Sequence, residues 1–189
     1  MIGQLPTSLY VNGNEYKIRS DYRVALVILQ ALNDVDLSEI EQAQIIIECL
    51  FEDDIPTDDL QDAMDQAGWF LNCGAVVNDN NIQSPKLYDW EQDEQLIFSA
   101  VNKVSGQEVR ALEYLHWWSF IGLFNEIGEG TFSTIVSIRD KKNKHKKLEK
   151  WEQEFCRKNP DLVKLRKKLT AEEIAENEFV KNLLKGGKK

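Results

Sequence analysis

The chain opens with two short alternating stretches, Ser8-Leu9-Tyr10-Val11 and Glu15-Tyr16-Lys17-Ile18, around Asn12-Gly13-Asn14. Period-two alternation broken by an Asn-Gly pair, which tolerates positive φ, predicts a β-hairpin. From Ser20 onward the apolar positions recur at helical spacing. Ser20 is placed to cap a helix over about Asp21 to Leu32, with Val24, Val27, Ile28 and Ala31 on one side. Asp36-Leu37-Ser38-Glu39 fits a capping box, and the helix behind it, with Ile40, Ala43, Ile47 and Leu50 as its stripe, is expected to reach about Phe51. Pro56-Thr57 restarts the chain into a third helix from about Asp58 to Asn72. Asp58, Asp59 and Asp62 lie in its first turns, where the positive helix end favours carboxylates, and Gly74 suits its stop. Residues 74–87 read as a loop.

The second half continues in the same manner. Asp89-Trp90-Glu91-Gln92 fits a further capping box, opening a helix that carries Trp90, Leu96, Ile97, Ala100 and Val101 and stops near Gly106. Residues 114–124, Tyr-Leu-His-Trp-Trp-Ser-Phe-Ile-Gly-Leu-Phe, are apolar almost all round and predict a central core helix. After Gly128-Glu129-Gly130, Thr131 is placed to cap a helix that continues into a lysine-rich stretch. Leu148, Trp151, Phe155, Leu162, Leu165 and Leu169 hold a heptad-like spacing that Pro160 must interrupt or restart. Thr170-Ala171-Glu172-Glu173 is a last capping box, leading to Phe179, Val180, Leu183 and Leu184.

Composition adds scale and an asymmetry. The chain has 189 residues, 42% of them hydrophobic and 29% charged, enough for a full core. Its longest apolar run, Val24–Leu29, falls far short of the roughly 20 residues that span a bilayer, and residues 1–19 lack the apolar stretch of a signal peptide. Neither a membrane span nor a membrane partner is expected. The net charge of −9 conceals two halves: residues 1–140 hold 24 Asp/Glu against 7 Lys/Arg (−17), and residues 141–189 hold 8 against 16 (+8). An acidic helical body over 1–140 and a basic helical extension over 141–189 follow. The three cysteines, at 49, 73 and 156, form no CxxC pair and read as thiols of a reducing compartment.

Tests for chemistry come back empty. The acidic stretch from Asp54 has Pro56 third and Asp59 sixth where a calcium loop needs a ligand and a glycine. Two histidines and scattered cysteines lack zinc-ligand spacing. His116, beside two tryptophans, reads as a satisfied core or boundary residue. No phosphate-binding loop, dinucleotide fingerprint or nucleophile elbow occurs. The expectation is no catalytic residue, no metal and no cofactor.

The basic extension carries the candidate contact residues: Lys146, Lys147, Leu148, Trp151, Phe155, Leu162 and Leu165. Cations beside aromatics occur in single-strand binders, but here the aromatics fall at helical spacing and read first as an apolar seam. That seam either packs on its own body or meets a partner helix or a second copy of the chain.

The order of these features resembles a tailed-phage and prophage family, the "gene product fifteen" family. The resemblance rests on Leu5-Pro6, Val11-Asn12-Gly13, Tyr16-Lys17-Ile18 and Asp21-Tyr22-Arg23. It continues through Tyr88-Asp89-Trp90-Glu91-Gln92-Asp93, the specific Leu115-His116-Trp117-Trp118-Ser119-Phe120, and Ile135-Val136-Ser137-Ile138-Arg139. It covers roughly residues 1–170. The chain departs from it at Ser105–Val109, where an aspartate-centred segment is expected. The resemblance implies a gene beside the tape-measure gene of long-tailed phages. It also implies a tail assembly chaperone or morphogenesis factor, acting in the host cell cytoplasm on the tape-measure protein and other tail proteins, with no catalytic residues. Two alternatives stay open: a structural tail or connector component of the virion, and a nucleic-acid binder using the lysine cluster. The expected fold is mainly α, a helical bundle with a short N-terminal β-hairpin and an extended basic C-terminal helical segment.

Overall fold

A computed structural model describes residues 3–75, 85–166, 168–170, 172, 173 and 175. Most of the expected 74–87 loop, and Phe179, Val180, Leu183 and Leu184, lie outside the described residues. The fold is mainly helical behind one two-stranded antiparallel hairpin, as the sequence pattern predicts. Strands β1 (Ser8–Val11) and β2 (Asn14–Lys17) pair Ser8 with Lys17 and Val11 with Asn14. Asn12 and Gly13 make the turn at positive φ, +46° and +84°.

Two acidic residues hold that turn. The Asn12 backbone N–H donates to Asp62 and its side-chain amide to Asp59, both at 2.6 Å. Asp62 belongs to α3 (Leu60–Leu71), which follows a single 3-10 turn at Thr57–Asp59. The carboxylates expected at a helix start thus also anchor a hairpin from far along the chain. Ala63, Ala67 and Phe70 bury the inner stripe of α3, and Leu9 and Val11 bury the inner face of β1.

Helix α1 (Tyr22–Leu32) is capped by Asp21, whose side chain accepts from the Arg23 N–H; Ser20, expected in that role, is instead buried and bonded to the Tyr114 hydroxyl at 2.7 Å. Asp21 wins because its second oxygen also accepts from the Leu115 N–H, at 3.0 Å, where the chain crosses it antiparallel. Helix α2 (Glu39–Leu50) starts on a reciprocal box between Ser38 and Glu41, two residues further on than a box read from Asp36. Its inner residues are Ile46 and Leu50, and Ile40, expected in the stripe, is 81% exposed.

Helix α4 (Glu94–Ser105) begins later than the Asp89 box predicts. Asp89 does accept from the Glu91 and Gln92 N–H groups, but residues 90–93 stay a turn. Helix α5 (Trp117–Asn125) is shorter than the apolar run, and Tyr114 stands outside it, half exposed. Its two tryptophans close α3: Trp117 Nε1 donates to the Leu71 carbonyl at 3.0 Å and Trp118 Nε1 to the Phe70 carbonyl at 2.8 Å. Those carbonyls belong to the helix end that has no intrahelical donors. Between the helices, Tyr22 stacks on Phe120 at 4.6 Å, with Phe98 and Trp117 beside it, and Trp90 and Tyr88 pack on Phe124.

Helix α6 (Thr131–Asn143) is preceded by Gly130 at the cap position, so Thr131 is its first residue rather than its cap. It ends inside the lysine stretch, where His145 adopts φ +52°. Helix α7 (Lys150–Lys158) then starts on a box between Glu149 and Glu152, and α8 (Pro160–Val163) has proline at its first position. The expected continuation of one helix through the lysines fails for a physical reason. Glu152, 1% exposed, accepts from Lys141 Nζ at 2.6 Å and from the Glu149 N–H at 2.7 Å, which folds α7 back on the end of α6. The Thr170–Glu173 box forms as read, with reciprocal bonds of 3.0 and 3.1 Å.

Candidate functional site

The candidate contact residues do not share one helix. Lys146 and Lys147 are exposed in the turn between α6 and α7, and Leu148 is half-buried before α7 begins. In α7, Trp151 is 55% exposed and Phe155 half-buried. Leu162 is partly exposed in α8, and Leu165, half-buried, lines a cavity with Cys156 and Pro160. Several cations of this region already have partners in the chain: Lys141 with Glu152, Lys144 with Asp140 and Lys158 with Glu154.

One buried group ties this basic region to the body. The Arg139 guanidinium donates from all of its nitrogens. It reaches both Asp93 oxygens at 2.6 and 3.0 Å and the carbonyls of Leu87, Leu162 and Val163 at 3.0, 2.6 and 3.0 Å. The two side chains are 4% and 2% exposed. A buried guanidinium is tolerated when every donor is used, as here. Beyond Val163 the chain runs as a strap over the 89–92 turn. Gln92 reads its backbone from both sides, accepting from the Arg166 N–H and donating to the Lys164 carbonyl, each at 2.8 Å. Lys168 meets Glu91 at 3.0 Å, and that bond raises the lysine above its ordinary pKa.

The strap ends beside a cleft of about 400 Å³ between α1 and the segment from Asp89 to Phe98. Tyr22, Leu26, Leu29, Trp90 and Ile97 supply apolar lining, and Val27, 52% exposed, stands at its edge. Arg23 and Arg110 line it along with Gln30, Glu91, Glu94 and Lys168. Arg23 is fixed by Asp21 and by the Leu112 carbonyl at 2.6 Å, and Arg110 by Glu108 at 2.8 Å. The pattern reading missed this cleft by assigning α1 a single buried side. The signal was present: Val24–Leu29 is apolar without a break, wider than a one-sided helix needs.

His116 is the chain's most enclosed imidazole, and it is fully used. Its Nδ1 accepts from the Trp118 N–H at 3.0 Å, capping α5, and its Nε2 donates to the Pro6 carbonyl at 2.9 Å. Among the described residues no group of His, Cys, Asp or Glu is arranged to hold a metal ion, and no helix is long and apolar enough to cross a membrane.

Fold and cleft together define a helical protein that offers an open apolar surface. The chain belongs to the family described as Bacteriophage Gp15 protein, which matches residues 1–165, a family of phage structural or morphogenesis proteins. No curated protein and no solved structure is significantly similar to the chain.

Proposed function

We propose that this phage protein is a non-enzymatic tail assembly chaperone or morphogenesis factor. It binds helical segments of the tape-measure protein in the host cytoplasm while the tail is built around them. The observation that carries the reading is the open apolar cleft of about 400 Å³ on the helical scaffold of a phage family. A groove lined by aliphatic and aromatic side chains suits an amphipathic helix, and a net charge of −9 keeps a complex with an aggregation-prone client in solution. Release is part of the job, so a shallow surface with many weak contacts suits it.

A second reading, a structural tail or connector component, draws support from charge complementarity between copies. The acidic residues of α2 and α3 and the exposed lysines of 142–150 offer opposite surfaces to a neighbour. A nucleic-acid role for the lysines is disfavoured by the ion pairs made within the chain and by the acidic body. Mass spectrometry of purified particles separates the first two readings. A chaperone is absent from mature virions while abundant in infected cells; stoichiometric presence in the particle would overturn it.

A further inference from the structure

The cleft has a feature that a plain apolar groove lacks: a cation from the chain's own strap sits on its acidic edge. Glu91, whose side chain is mostly exposed, faces Lys168 at 3.0 Å, and Asp89, which lines the same cleft, also acts on that lysine. Lys168 belongs to the part of the chain that follows the Arg139 anchor. Up to Val163 the chain is fixed by Arg139, which donates to the Leu162 and Val163 carbonyls from a buried setting. Beyond it, the described bonds to the body include the Gln92 amide pair and the Lys168–Glu91 bridge. An exposed ion pair contributes about 0.2–1 kcal/mol, so the Lys168 side chain leaves Glu91 at small cost.

We propose that the cleft takes an amphipathic helix from another polypeptide, one that carries a lysine or arginine beside its apolar stripe, and that Lys168 is the cis competitor for its acidic edge. The partner's stripe covers Val27, Leu26 and Trp90, and its cation takes the place of Lys168 at Glu91. The α1 wall from Arg23 to Asn33 rises about 15 Å, so the bound helix spans about three turns. Arg23 and Arg110, which also line the cleft, accept an acidic residue or the negative end of the bound helix. This deepens the proposed function by naming the chemistry of the partner, and it rests on that reading only in taking the partner to be helical.

The test uses the full chain and two fluorescein-labelled amphipathic peptides of about three turns each. Both carry a leucine stripe, flanked in one by lysines and in the other by glutamates. Fluorescence anisotropy is expected to show the lysine-flanked peptide binding and the glutamate-flanked one binding at least tenfold more weakly. Val27→Glu, at a half-exposed position that leaves the core intact, weakens the lysine-flanked peptide tenfold or more. Diffuse attraction to an acidic protein would instead be strengthened by that added carboxylate. Lys168→Ala tightens binding about two- to fivefold, the equivalent of the bridge it removes. Lys144→Ala, the same charge change at an ion pair away from the cleft, leaves binding unchanged. Equal binding of the two peptides, no binding of either, no loss in Val27→Glu, or equal effects of the two lysine variants overturns the proposal. If Val27→Glu still keeps a co-expressed tape-measure protein soluble, the cleft is excluded as the client site while the chaperone reading stands. If peptides bind as expected and the tape-measure protein gains no solubility, the chaperone reading falls alone.

Discussion

Replacing Arg139 with methionine keeps an apolar stem of similar reach and removes the guanidinium. Five hydrogen bonds disappear at once, two to Asp93 and three to the carbonyls of Leu87, Leu162 and Val163. Asp93, 2% exposed, is left with the Asp89 N–H at 3.0 Å as its described donor. Breaking a buried ion pair from one side costs about 3–5 kcal/mol, because the surviving charge stays desolvated. The three carbonyls add to this only in part, since water reaches the seam once the strap loosens. With a urea dependence of about 2 kcal/mol per molar, the unfolding midpoint falls by about 2 M. The chain's five tryptophans report the transition. Trypsin cleavage at Lys164 and Arg166 becomes faster in native buffer, because these residues follow the anchored Val163. The double replacement Asp93→Leu with Arg139→Met recovers part of the loss, as apolar substitutes for buried pairs do. A midpoint shift under about 0.5 M for Arg139→Met, or unchanged cleavage, refutes the claim that this group anchors the C-terminal region.

Further outcomes follow from local geometry. Gly74→Ala loses about 1–2 kcal/mol in thermal or urea unfolding, since φ is +82° there and a Cβ would meet the Trp118 ring at 3.2 Å. Ser38→Ala loses about 1 kcal/mol by removing the α2 cap, measurable by the same assays. Arg110, and then Asn102, hold Glu108 down from its ordinary 4.5 to about 2. Its contribution is therefore present above pH 4.5 and lost as pH falls towards 2, so Glu108→Gln flattens that part of a stability-versus-pH curve. Asp59→Ala with Asp62→Ala frees the hairpin turn, and hydrogen exchange at the Asn12 amide accelerates while exchange in α4 does not.

Local signals marked the elements well where the chemistry is local. Asn12-Gly13 specified a two-residue turn, Pro160 took a first helical position, and Thr170 and Glu173 closed their box, each through neighbours within a few residues. Where a side chain answers to a distant partner, the same signals misled. Gln92 completes a box motif with Asp89, but its amide is taken by Lys164 and Arg166, so the helix starts at Glu94. The lysine stretch contains no glycine or proline, yet α6 stops there because Lys141 is drawn to Glu152. Ser20 and Asp21 rank alike as helix caps, and Asp21 takes the position because it serves two segments at once. The cleft was legible only as an excess of apolar residues on α1. Its second wall comes from residues more than fifty positions away, which no periodicity connects.

The most direct test of the central claim is the soluble yield of a tape-measure protein of the same phage, co-expressed with and without this chain and recovered by affinity pull-down. The account predicts that the chain keeps the tape-measure protein soluble, co-purifies with it, and loses both effects on Val27→Glu while remaining folded. Tape-measure solubility that is the same with or without the chain, and no co-purification, would contradict it.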